Sequence, residues 1–170
     1  MHVRIPRRTM MVAALAAMAV SACQTVPRSP YSSAQMELLQ TRGFQQRDGN
    51  YLLGLDNKVL FAFDSSELQG ETMIMLGELG RELAAVGIRS AGVEGHASAE
   101  GDAQYNLRLS EQRAEAVRRA LVQGGLTDTA MRVRGMGALD PIAPNDSEEG
   151  RSQNRRVVIV VTPADAMSLR

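Results

Sequence analysis

Two spacings of apolar side chains organise this 170-residue chain. Leu107, Ser110, Ala114, Val117 and Leu121 fall three and four apart, which is one stripe of an amphipathic helix. The pattern predicts a helix from about Asp102 to Gln123, with Asp102 as its N-cap and Gly124-Gly125 as its stop. A second stripe, Leu76, Leu79, Leu83 and Val86, predicts a helix from about Gln69 to Val86, introduced by Asp64-Ser65-Ser66 and ended at Gly87. Shorter runs read as strands. Tyr51 to Leu55 and Val59 to Phe63 are joined at the turn-favouring pair Asp56-Asn57, and Ala91 to Glu94 and Met131 to Met136 follow. Val157 to Val161 is continuously apolar, as a central buried strand should be. Residues 138–154 read as a long polar loop. Helix and strand alternate without an internal repeat, so the expected fold is an α/β (α+β) sandwich. It has a mixed sheet of about four to five strands and two main helices on one face.

The ends read differently. Arg4, Arg7 and Arg8 precede an apolar run from Met10 to Val20, too short for a bilayer that needs about 20 residues and suited to a signal peptide over 1–22. Val20-Ser21-Ala22-Cys23 resembles the lipobox of bacterial lipoproteins, which implies lipidation at Cys23. With one cysteine in the chain, no intramolecular disulfide can form. Gln24 is not the aspartate that retains such proteins at the inner membrane, so the resemblance implies an outer-membrane anchor facing the periplasm. Residues 23–45 read as a tether with a short helix at Ser33–Arg42, 46–165 as the folded domain and 166–170 as a tail. Fully extended, Cys23 to Arg47 would reach about 80 Å.

Charge narrows the function. Without Arg4, Arg7 and Arg8, sixteen basic residues face nineteen acidic ones, which leaves no electrostatic footprint for nucleic acid. Trp is absent and aromatics are scarce, so the core must be aliphatic. Arg113 lies on the packed face of its helix, with Asn106 two turns earlier on the same face. A guanidinium in that position is kept only with a partner, either an internal carboxylate or one that arrives with a ligand. Arg155 and Arg156 are read as strand neighbours pointing to opposite faces. Arg155 is expected to face the ligand, and Arg156 to be solvated or paired with an acid such as Glu94. The other histidine is His2, in the signal segment, so His96 is expected to make a structural hydrogen bond. No nucleophile–base pair or metal-ligand set suggests an enzyme, a metal site or a cofactor.

The stretch Gly95 to Arg119 closely resembles the core motif of OmpA-like domains, periplasmic modules that bind peptidoglycan. Gly95, His96, Gly101, Tyr105, Asn106, Leu109, Ser110, Arg113, Ala114 and Val117 fall in register, and Asn154-Arg155-Arg156-Val157 matches the family's closing segment. The resemblance spans roughly residues 46–163. It implies a non-enzymatic lipoprotein that binds the diaminopimelate-containing stem peptide and tethers the outer membrane to the wall. Arg113, Asn106, Ser98, Asp64 and Arg155 are the implied contacts, with other envelope proteins as further partners. One position departs from the pattern: Ser98 stands where the family has an aspartate, and the nearest acids are Glu100 and Asp102. That departure leaves open an alternative, a degenerate domain acting as an envelope interaction or scaffold module.

Overall fold

A five-stranded sheet organises the computed structural model, which describes residues 29–62 and 64–166. In chain order the elements are α1 (Ser33–Thr41), β1 (Gln45–Arg47), β2 (Asn50–Asp56), α2 (Asn57–Leu60), α3 (Gly70–Ala85), β3 (Gly92–His96) and α4 (Ala103–Gln123). A short 3-10 turn follows at Asp128–Ala130, then β4 (Arg132–Gly137), α5 (Glu148–Asn154), β5 (Arg156–Val161) and α6 (Pro163–Ala166). The strand order is β1-β2-β5-β3-β4. All pairs are antiparallel except β3 with β4, so the sheet is mixed, as expected. β5 sits at its centre with Val157, Val158, Ile159 and Val161 buried.

The helices form for local reasons. The Asp102 carboxylate accepts the Tyr105 N–H at 2.7 Å and starts α4, and Gly124 ends it. α4 lies across β3 and β4 with α3 alongside, and their apolar stripes merge with β3 and β5 in one aliphatic core. The crossing is close. A Cβ on Gly95 of β3 would overlap the Ser110 carbonyl of α4, so only glycine fits there. Between Gly95 and His96 the β3–β4 register shifts by one residue, a bulge that turns Ala97 and Ser98 out of the sheet.

Several expectations are corrected. Val59 to Leu60 is not strand: the Asp56 side chain accepts the Lys58 N–H at 2.8 Å and starts the helical turn α2, which leaves Val59 exposed. Phe63, the end of that predicted strand, lies outside the described residues. The strand that pairs with β2 on that side is β1, through the turn Asp48-Gly49, both residues at positive φ. Asp64-Ser65-Ser66 does not cap α3; its N-cap is Gln69, without a side-chain bond. Leu107 is exposed rather than on the buried stripe of α4. The 138–154 loop ends in α5, capped by Ser147.

Residues near the N-terminus also depart from the tether reading. The short helix is present as α1, yet Tyr31, Gln35 and Leu39 are buried in the domain. The Tyr31 hydroxyl donates to the carbonyls of Gly49 and Val161 at 3.1 and 3.0 Å, and its ring meets Tyr51 edge-on at 4.9 Å. The Gln35 amide donates to Val86 and Ala166. The signal segment 1–22, Cys23, the tether residues 24–28 and the tail residues 167–170 lie outside the described residues. No described helix is long and apolar enough to cross a membrane.

Candidate functional site

The bulge after β3, the N-terminal half of α4, the segment after α2 and the two ends of α5 meet around one cavity of about 670 Å³. Arg113, Asn106, Ser98, Asp64 and Arg155 all line it. They come from four separate stretches of chain, with Asn106 and Arg113 sharing α4.

Arg113 is 7% exposed. Its Nε donates to the Ser65 carbonyl at 2.8 Å, and the guanidinium carbon lies 5.3 Å from the centre of the Phe61 ring. Its terminal nitrogens make no hydrogen bond or ion pair among the described residues. Burial lowers its pKa, opposed by the charge of Asp64 and by Tyr105, while Arg155 adds to the lowering. A guanidinium remains charged under any ordinary condition, so the cavity holds a desolvated cation whose outer nitrogens face open space.

Asn106 uses its amide donors internally. Nδ2 reaches the carbonyls of Ser98 at 3.3 Å and Glu100 at 2.7 Å and so fixes the loop after β3. Ser98 is buried and brings no charge. That loop is held from its other side as well. The fully buried Asn154 accepts from Ile142 and Ala143 and donates to Asn145, whose side chain accepts the Ala99 N–H at 3.0 Å. Of the two nearby acids, Asp102 is the α4 cap and Glu100 lies 3.4 Å from Arg151 at the exposed rim.

Arg155 is not a strand residue. It forms the C-cap of α5, lines the cavity and pairs with Glu148, whose carboxyl it holds below the usual range. Arg156 begins β5 and is buried rather than solvated. Its nearest partner is Asp140, through the backbone carbonyl at 3.1 Å and Oδ2 at 3.5 Å, while Glu94 adds only a field. The structural hydrogen bond expected for His96 is missing at Nδ1, which is buried without a partner. Sequence reasoning also missed Phe61, Tyr105, Glu148 and Asn57 as cavity walls. Tyr105 stood beside Asn106 in the recognised motif and could have been found there; Glu148 and Asn57 carry no local signal. The Asn57 side chain is buried with neither amide atom hydrogen-bonded.

Known proteins resemble this chain in sequence and fold. The OmpA family model matches residues 60–155. The outer-membrane lipoprotein YfiB of Pseudomonas aeruginosa is 39% identical over 147 residues, 86% of this chain and 87% of that protein. The peptidoglycan-associated lipoprotein of Rhizobium meliloti is 30% identical over 92% of this chain and 89% of its own. The crystal structure of the peptidoglycan-associated lipoprotein from Burkholderia pseudomallei superposes with a TM-score of 0.53 at 35% identity, covering 60% of this chain and 86% of that one. The family match over residues 60–155, together with 39% identity to a relative across most of both chains, identifies the chain as a member of the OmpA family.

Proposed function

We propose that this protein is an outer-membrane lipoprotein, anchored through Cys23, whose domain binds peptidoglycan non-covalently through the diaminopimelate-containing stem peptide. In that role it tethers the outer membrane to the wall. The observation that carries the reading is Arg113. A buried cation with unengaged terminal nitrogens at an open cavity is suited to a ligand carboxylate, which its planar fork can grip with two parallel hydrogen bonds. Relatives named as peptidoglycan-associated lipoproteins support the same ligand. Co-sedimentation of the purified protein with isolated sacculi tests it. Wild type should pellet with the wall at low salt, and Arg113→Ala should lower apparent affinity by about tenfold or more with α4 intact. Wild type left in the supernatant would sink the proposal. Radioactive palmitate should label wild type and not Cys23→Ala.

The alternative, an envelope interaction or scaffold module without strong wall binding, is favoured by one observation, the uncharged Ser98 at the end of β3. It predicts that wild type and Arg113→Ala sediment alike.

A further inference from the structure

We propose that the sheet face turned away from α3 and α4 is a phospholipid-docking surface, which lies on the membrane beside the anchor and turns the cavity toward the wall. The inference rests on the anchor half of the proposed function and not on wall binding.

The strand register defines this face. Cβ atoms on Gly95 of β3 and Gly135 of β4 would point into α4. Their neighbours along each strand therefore point away from the helices. Cross-strand partners share a face, so two rows run over it. One is Gln45, Leu52, Val160, Gly92 and Arg132; the other is Gly54, Val158, Glu94 and Arg134. Leu52, Val158 and Val160 make an aliphatic centre, and none of them belongs to the core formed with the helices. Gly54 keeps that centre open, since a Cβ there would meet nothing within 4 Å.

Arginines stand at both edges. Arg47 ends the edge strand β1 on this face, opposite Asn50, and Arg132 and Arg134 belong to the other edge strand, β4. Arg47 and Arg134 are exposed and make no ion pair among the described residues, while Arg132 is held by Asp165. Glu94 is the acid of these rows. An aliphatic strip flanked by long cationic side chains matches the boundary between acyl chains and headgroups. The strip meets the chains, and the guanidinium forks reach phosphate oxygens.

The position of the anchor selects a lipid surface over a protein one. Tyr31 is bonded to Gly49 in the β1–β2 turn and to Val161 at the end of β5, so the chain toward Cys23 leaves from that end of the sheet. Leu52 and Val160 lie within a few residues of it. Six residues, Cys23 to Arg28, precede the described chain and span about 20 Å when extended. A domain of this size is roughly 35 Å across. A tether shorter than the domain's own width keeps one of its faces against the leaflet. Resting on this sheet face puts α4, with Asn106 and Arg113, on the far side.

Tryptophan is absent from the sequence, so one introduced indole reports alone. The acylated full-length protein would be reconstituted in vesicles of phosphatidylethanolamine and phosphatidylglycerol, with or without brominated acyl chains that quench indole on contact. Leu52→Trp, and Gln45→Trp on the same row, should lose about half of their emission to the bromines, as expected for a face seated about 5–10 Å into the interface. Ile74→Trp, on the exposed surface of α3, should lose little. Arg47→Glu combined with Arg134→Glu should restore most of the Leu52→Trp emission, and charge reversal without effect removes the arginines from the docking surface. Thermal melting equal to wild type would show that each variant folds. Wild type that fails to float with the vesicles overturns the anchor, and this inference with it. Floating protein in which Ile74→Trp is quenched as strongly as Leu52→Trp and Gln45→Trp, or in which none is quenched, overturns docking and leaves the anchor standing. So does an indole shielded from bromine by a second copy, seen as a doubled mass after cross-linking.

Discussion

His96 shows how a single side chain can set the acid tolerance of the domain. It is 2% exposed, its Nδ1 lacks a partner, and Nε2 lies 3.9 Å from Glu94, too far for a hydrogen bond. Burial first, and the cation of Arg156 second, push its pKa down to about 4, against the pull of the Leu139 backbone and Asp140. An unfolded chain takes up this proton near pH 6.5. Below that pH the unfolded state therefore holds the extra proton, and folding stability falls until the native histidine titrates near 4. The loss over that window is about 3 kcal/mol. Urea unfolding of wild type between pH 7 and 4 should show the slope, and His96→Gln should flatten it. A histidine of the same motif met in sequence alone suggests a hydrogen bond; nothing local indicates that its Nδ1 would be buried without a partner.

At the scale of the element, α4 holds the site together, and its ends were legible because their signals are local. Asp102 caps and Gly124 stops, both within a few residues of the stripe they bound. α2 was misread for the same reason. Val59, Phe61 and Phe63 alternate as a strand would, while the competing signal is the Asp56 carboxylate, which favours a helical turn once it finds the Lys58 N–H. The Asp48-Gly49 pair is a strong turn signal in the sequence, and it closes the β1–β2 hairpin. What could not be read locally is how closely α4 approaches β3. Gly95→Ala would drive a methyl group into the Ser110 carbonyl, which belongs to rigid helix backbone. We expect a loss of about 2–3 kcal/mol in denaturant unfolding. Sacculus binding should fall too, since α4 carries Tyr105, Asn106 and Arg113.

Across the whole molecule, the two ends of the described chain are fastened to the sheet and to each other. Tyr31 reaches Val161 and Gln35 reaches Ala166. Asp165 is 2% exposed and anchors the exit from β5. It accepts both Arg132 terminal nitrogens at 2.8 and 2.7 Å, the Ser90 hydroxyl, and the Thr162 N–H and hydroxyl. Burial alone would raise its pKa, but these bonds outweigh it and bring the value down to about 2. A lowered carboxylate pKa stabilises the fold above the unfolded value of 3.8 and is lost as pH falls toward 2. Arg132 is half exposed, so the contribution is about 1–2 kcal/mol. Asp165→Asn should lower stability at pH 7 and remove the acid transition below pH 4 in a denaturant series. The Arg113 site was legible because the motif carries Asn106 and Arg113 at fixed spacing. Glu148, Phe61 and Asn57 were not, because they enter the cavity only after α4 and β5 have brought distant segments together.

The fastening of Tyr31 alters the geometry of any lipid anchor at Cys23. Eight residue-to-residue steps, rather than the two dozen counted up to Arg47, would separate the acylated cysteine from the first locked side chain. Whatever its conformation, such a leash spans at most about 28 Å. If the proposed anchor and wall binding hold, a domain held that short would reach only the wall nearest the lipid leaflet, and lengthening the leash by a dozen residues should let it engage more distant strands.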